Sequence, residues 1–211
     1  MLFRSQMLVV LKPLHDVALI EHINVATYQS VSGAGREAIA ELATQSAALL
    51  SGQGPVKAGV IPAQIAFNVV PQIDRFEDNG YTREEMKMVW ETRKILGSAD
   101  IQVNPTAVRV PVFFGHSEAV HVTTQRKLGA VAARKLLAKA PGVTVMDERR
   151  PGGYPTAAVE AANRDTVYVG RIRDDMSSER GLDLWIVADN VRKGAATNSV
   201  QIAEILARDY L

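Results

Sequence analysis

Cysteine is absent from the 211 residues, which excludes a disulfide framework, a thiolate metal site and a cysteine nucleophile within them. No apolar run reaches the roughly 18 residues of a membrane span, and the opening stretch lacks the small-residue cleavage site of a secretory leader. A cytoplasmic protein with no membrane partner is therefore expected. An excess of charge of one sign is missing too. The 24 Lys plus Arg balance 23 Asp plus Glu for a net charge of +1, so nothing marks nucleic acid as a partner. The four histidines show no metal-ligand spacing, so no metal is expected, and His15, His22 and His121 read as surface or strand residues. What remains is ample apolar content, 47% of the chain, enough for a proper core. There is no internal repeat, low-complexity tract or linker.

Residues 5–14 read as a short helix that stops at Pro13. Residues 20–31, rich in β-branched side chains, read as a strand running into Ser-Gly-Ala-Gly, and residues 36–50 as an amphipathic helix. A second strand-like run, residues 65–74, is interrupted by Pro71 and suits an edge or a turn. Residues 82–97 begin with Thr82 as N-cap and Glu85 three residues on, the capping-box pattern, and close at Gly97. A helix is expected over 124–140, strands over 142–148, 165–175 and 181–190, and a last helix opened by Gly194. Strands outnumber crossover helices in the second half, which predicts an α+β fold whose mixed, largely antiparallel sheet carries helices on one face.

Three constellations could carry chemistry. The run "RVPVFFGHSEAVHV", residues 109–122, reads as one strand with Arg109 at its start and His116 seven residues on. A regular pleat points the two to opposite faces, so they share a site only if the strand breaks, and Gly115 is where it could. An arginine there would grip a carboxylate with its fork, and a histidine could move a proton near neutral pH. Spacing alone favours a strand-end arginine in solvent and a turn histidine. In "TYQSVSGAG" a strand runs through glycines into a helix, leaving backbone N–H groups open to an anion or a flat cofactor, although Ser32 as a simple helix cap fits better. Glu84 and Lys87, at i and i+3 on one helix, are by themselves a solvated pair.

Taken in order, "INVATYQSVSGAG", "IAFNVVPQID", "REEMKMVWETRKIL", "VNPTAVRVPVFFGHSEAVHV" and "DNVRKGAATNSVQIAE" resemble the C-terminal half of aspartate-semialdehyde dehydrogenase, from about Gln6 to the end. The resemblance implies a fold like the C-terminal domain of glyceraldehyde-3-phosphate dehydrogenase. It also implies a homodimer paired through its sheet, and NADPH-dependent reduction of aspartyl phosphate to aspartate semialdehyde in lysine, methionine and threonine biosynthesis. NADP is then the cofactor, and aspartate semialdehyde, aspartyl phosphate and phosphate the ligands. Residue by residue, it implies Gln29 as the glutamine orienting the substrate, Ser32 and Gly33 as the loop touching the cofactor, and Glu84 as the carboxylate for the substrate amino group. It implies Lys87 as the phosphate-binding lysine, Arg109 as the clamp on the substrate carboxylate, His116 as the acid/base, and Asn190 at the nicotinamide end.

The family pattern departs at the start. A glycine-rich nucleotide-binding domain precedes this region in the family, and Leu2 falls where the catalytic cysteine stands, so the chain alone is expected to be inactive. Residues 1–5 read as a non-native start, because the end of a sequencing adapter translates to Met-Leu-Phe-Arg-Ser. Residues 6–211 are then the dimerisation and catalytic domain, with helix 195–211 expected to pack on the absent NADP-binding domain and to expose Ile202, Ile205 and Leu206 without it. A non-catalytic dimerising paralogue is the alternative. The related reductase of N-acetylglutamyl phosphate fits the Glu84, Lys87, Arg109 and His116 set less well.

Overall fold

The structure, a computed structural model, describes residues 5–210, so Leu2 and most of the expected non-native start lie outside the described residues. The first helix, α1 (Ser5–Ala18), does not stop at Pro13. Proline removes one helical N–H, but Met7, Val10, Leu11 and Leu14 are fully buried against the sheet, and that packing carries the helix one turn further. At its end the imidazole of His15, 8% exposed, accepts from the Ile20 N–H at 3.1 Å. His15 is thus a buried helix-terminating residue rather than a surface one.

A six-stranded mixed sheet follows, in the order β2-β1-β3-β6-β5-β4. Its strands are β1 (Ile20–Gln29), β2 (Gln102–Arg109), β3 (His116–Thr124), β4 (Val143–Val145), β5 (Val167–Asp174) and β6 (Gly181–Ala188). β1 lies parallel to β2 and antiparallel to β3, β6 is antiparallel to β3 and β5, and β4 runs parallel to β5. Alternate residues such as Ile23 and Val25, Val120 and Val122, and Leu182, Leu184 and Ile186 form one core with α1, α3 (Arg83–Leu96) and α4 (Ala130–Leu137). The opposite face carries polar residues such as Asn24, His121 and Asp183. The expected mixed sheet with helices on one face is what the chain forms. A smaller core joins α2 (Arg36–Leu50) to the loop around Ile61 and Ile65.

Several local expectations change. Residues 65–74 make no strand, only a bridge in which Val70 and Arg109 exchange backbone hydrogen bonds of 2.9 and 2.8 Å. Pro71 has no N–H to give, and Phe67 and Asp74 take left-handed φ values of 58° and 70° that no strand accommodates. The helix expected over 124–140 forms only from Ala130, because Thr124 still belongs to β3 and the Ala130 N–H donates to Asp174 Oδ1 at 2.7 Å. Before the last helix, α5 (Thr197–Asp209), Arg192–Ala196 makes a π turn rather than a glycine-opened helix start. Thr82 and Glu85 do form the capping box of α3. Among the described residues no helix is long and apolar enough to cross a membrane.

Candidate active site

The 109–122 run is two strands, not one with a bulge: β2 ends on Arg109 and β3 begins on His116, with residues 110–115 as a loop between them. Because β1 is inserted between the two, Gln29 pairs with Arg109 on one side, and His116 enters one residue beyond the Tyr28–Ser117 pair on the other. Arg109, Gln29 and His116 therefore stand in a row at one end of the sheet, all buried. Gly115 makes the return possible. Its φ is +83°, and a Cβ there would meet the Ala157 carbonyl oxygen at 2.7 Å.

The glycine-rich turn after β1 supplies the other wall. A Cβ on Gly33 would lie 3.0 Å from Arg109 Nη1 and 3.1 Å from His116 Nε2, so the bare backbone there lets both side chains pack against it. Ser32 does not cap α2, whose first position is preceded by Gly35 with no side-chain cap. Its hydroxyl donates to Asn190 Oδ1 at 3.1 Å. That same oxygen accepts from the Gly115 N–H and the Ser30 hydroxyl, each at 3.1 Å, so Asn190, just past β6, ties three loops together behind the histidine.

The first turn of α3 closes the cleft. Lys87 Nζ sits 3.5 Å from Glu84 Oε2 and 3.2 Å from Asp74 Oδ2, and Gln29 Nε2 donates weakly to Glu84 Oε1 at 3.5 Å. The capping box aims this turn: Glu85, besides accepting from Thr82 N–H at 2.7 Å, accepts from Ala107 N–H of β2 at 2.8 Å. The eight residues singled out in the sequence (Gln29, Ser32, Gly33, Glu84, Lys87, Arg109, His116 and Asn190) all line one cleft of about 600 Å³. Reasoning from sequence passed over Asp74 and Glu91, which also line it, and Ser30, fully buried behind the histidine. Ser30 lay within the serine-glycine motif, and Asp74 ends the "VVPQID" run, but neither spacing nor composition aims them.

The electrostatics suit a ligand carrying both signs of charge. Arg109 donates to the Ser30 carbonyl at 2.8 Å. Burial pulls its pKa down to about 10 while the Glu84 charge opposes the shift, so it stays cationic at neutral pH. His116 is 3% exposed. Burial, and then the Arg109 charge, hold its pKa well below the ordinary value, against a hydrogen bond to the Gly115 backbone. Asp74 is held below its usual range by the Arg75 N–H and by Lys87, against desolvation. Two cations and three carboxylates thus face one space.

Residues 11–193 match the family described as semialdehyde dehydrogenase, dimerisation domain. The aspartate-semialdehyde dehydrogenase of Legionella pneumophila is 64% identical over 206 residues, 98% of this chain and 59% of the relative. That of Shewanella violacea is 60% identical over 205 residues, 97% of this chain and 60% of the relative. Among solved structures, aspartate semialdehyde dehydrogenase II of Vibrio cholerae complexed with ASA superposes with a TM-score of 0.95 at 55% identity, covering 99% of this chain and 61% of that one. The chain spans about 60% of the length of these relatives.

Proposed function

The chain belongs to the semialdehyde dehydrogenase family, matched by its dimerisation domain, and on that premise we propose that it provides the substrate-binding and subunit-pairing part of an aspartate-semialdehyde dehydrogenase. The observation that carries this reading is the convergence of Arg109, Gln29, His116, Glu84 and Lys87 on one cleft. A substrate with a carboxylate, an ammonium and a phosphorylated acyl group asks for two cations, an anion and a group at the reacting carbonyl. Arg109 would grip the carboxylate, Glu84 the ammonium and Lys87 the phosphate. Gln29 would orient the reacting end and His116 would face its oxygen.

NADP, when bound, supplies or accepts the hydride. Ser32 and Gly33 line the cleft and would face its nicotinamide end. Asn190 reaches that end only through its amide nitrogen, which already donates to Ser32 Oγ at 3.0 Å, since its oxygen is spent on three donors. The family's acyl transfer also asks for a thiolate, which these 211 residues do not contain. On this reading the chain is inactive alone, pairs with a second copy through the polar face of its sheet, and lays α5 against a nucleotide-binding domain.

The test joins the Legionella relative's N-terminal region to this chain with Leu2→Cys and measures NADP- and phosphate-dependent oxidation of aspartate semialdehyde. Activity in the joined protein, absent from the 211 residues alone, supports the reading. Inactivity of a folded joined protein would favour the second reading, a non-catalytic dimerising paralogue.

A further inference from the structure

Lys87 is shared by two carboxylates that reach it in different ways. Its Nζ stands 3.2 Å from Asp74 Oδ2 and 3.5 Å from Glu84 Oε2. The Glu84 side chain is the more enclosed, 13% exposed against 35% for both Asp74 and Lys87, so the lysine spans from the depth of the cleft to its rim. Glu84 meets the lysine because residues i and i+3 are neighbours on any helix. Asp74 meets it from a separate segment, and that placement is built.

Asp74 takes a left-handed φ of 70°, which aspartate tolerates and most side chains do not. Its Oδ1 accepts from the Arg75 N–H at 2.8 Å, which fixes the carboxyl and leaves Oδ2 for Lys87. Both flanks are tied down. Before Asp74, Val70 exchanges backbone hydrogen bonds with Arg109 at the end of β2, and Ile73 is buried. After it, the Arg83 N–H at the start of α3 donates to the Arg75 carbonyl at 2.8 Å. The segment thus straps Arg109 to the turn that carries Glu84 and Lys87. Burial works against the charge of Asp74, but the Arg75 N–H and Lys87 keep it ionised, below the usual carboxylate range.

On the proposed function, a ligand ammonium comes to Glu84. Two ammonium groups side by side on one carboxylate repel each other, so the arriving group competes with Lys87. We propose that Asp74 is a positioning residue that holds Lys87 at the rim of the cleft when Glu84 turns from the lysine to the ammonium of the ligand. The lysine keeps a counter-charge throughout, and the site favours ligands that carry an ammonium beside their carboxylate. Without Asp74, Lys87 falls back on Glu84 and occupies the ammonium position itself. The inference rests on the proposed function for the identity of the ligand; the sharing of Lys87 between two carboxylates belongs to the chain itself.

Asp74→Asn removes the charge and spares the local fold, since asparagine also tolerates the left-handed conformation and its side-chain oxygen still accepts from Arg75. Calorimetric titration of the 211-residue chain compares aspartate semialdehyde with succinic semialdehyde, which lacks the ammonium. The substitution should weaken aspartate semialdehyde about threefold to fivefold, the size of one half-exposed ion pair, and leave succinic semialdehyde unchanged. Equal losses for the two ligands, or undiminished binding of both, would overturn the proposal. In a Lys87→Met background the same substitution should change nothing, and a persisting loss would show that Asp74 does not act through the lysine. A second measurement needs no ligand: proton–nitrogen NMR of the lysine ammonium groups in the ¹⁵N-lysine-labelled chain at mildly acid pH, with Lys87 identified by the signal lost in Lys87→Met. That signal should stay protected in Glu84→Gln, where Asp74 alone holds the lysine, and its loss to exchange there would overturn the proposal. Binding of neither semialdehyde with the signal intact sinks the proposed function alone, whereas ligand binding with the signal lost sinks this inference alone.

Discussion

The first and last described helices carry apolar residues at similar three- and four-residue spacing, yet they end in opposite surroundings. In α1, Met7, Val10, Leu11 and Leu14 are completely buried, whereas in α5 Val200, Ile202, Ile205 and Leu206 remain between 46% and 57% exposed. α1 lies on the centre of the sheet and helps close the main core. α5 is fastened at its start, where the Thr197 hydroxyl donates to Asp165 at 2.5 Å and Lys193 donates to Gln201 at 2.7 Å. Periodicity thus states what a helix can bury, and the rest of the assembly decides whether it does. An apolar stripe of this length left open is the kind of surface that a second body would cover, and the proposed reading gives that place to a nucleotide-binding domain.

The contrast is sharpest beneath α1. Glu118 is fully buried there, and desolvation raises its pKa from 4.5 to about 8, opposed by the Gln6 amide. Because the folded state holds the proton more tightly than the unfolded one, stability falls as pH rises from the unfolded to the folded value. Glu118→Gln should therefore leave stability nearly unchanged at acid pH. Its gain should then grow to on the order of 4 kcal/mol near pH 8, the full shift converted at about 1.36 kcal/mol per unit. Urea titrations of both proteins across that range decide it, and a pH-independent difference would reject the buried carboxyl.

Next in size, Leu11→Ala in α1 should cost about 3 kcal/mol through a cavity in a packed interior. Thermal or urea unfolding giving less than ~1 kcal/mol would mean that α1 is not the core helix it is drawn to be. Thr82→Ala should cost about 1 kcal/mol by removing the cap of α3. It should also weaken ligand binding through Lys87 and Glu84, since the same turn aims both, and unchanged affinity alongside that loss would uncouple cap from site. Smallest is Ile205→Ala in α5, expected within about 0.5 kcal/mol in the chain alone. A loss as large as that of Leu11→Ala would show that α5 is already covered, and the comparison would fail.

Legibility in the sequence followed the range of the interactions. The α3 cap, the α2 span and the alternation of β6 depend on neighbours within a few positions, and they could be read. The adjacency of Arg109 and His116 could not be read from spacing, because it arises from β1 inserted between the two strands that carry them, some 80 residues earlier in the chain. Ser30 was hidden for a related reason. Its backbone N–H donates to His116 Nδ1, a contact that no residue type announces. Residues 65–74 misled because their apolar run reflects two separate burials, Ile65 in the small core and Val70 at the Arg109 bridge, rather than one pleated face.

The central claim is that these residues form a complete substrate-binding site although the chain holds no cysteine. Calorimetric titration of aspartate semialdehyde into the 211-residue chain, beside Lys87→Ala and Arg109→Leu proteins shown to be folded by circular dichroism, tests it most directly. Saturable binding weakened at least about tenfold in the Arg109 variant, equivalent to about 1.4 kcal/mol, and less in the Lys87 variant, to which the proposed function assigns only the phosphate end, is the predicted result. No saturable binding, or equal affinity in all three proteins, would contradict it.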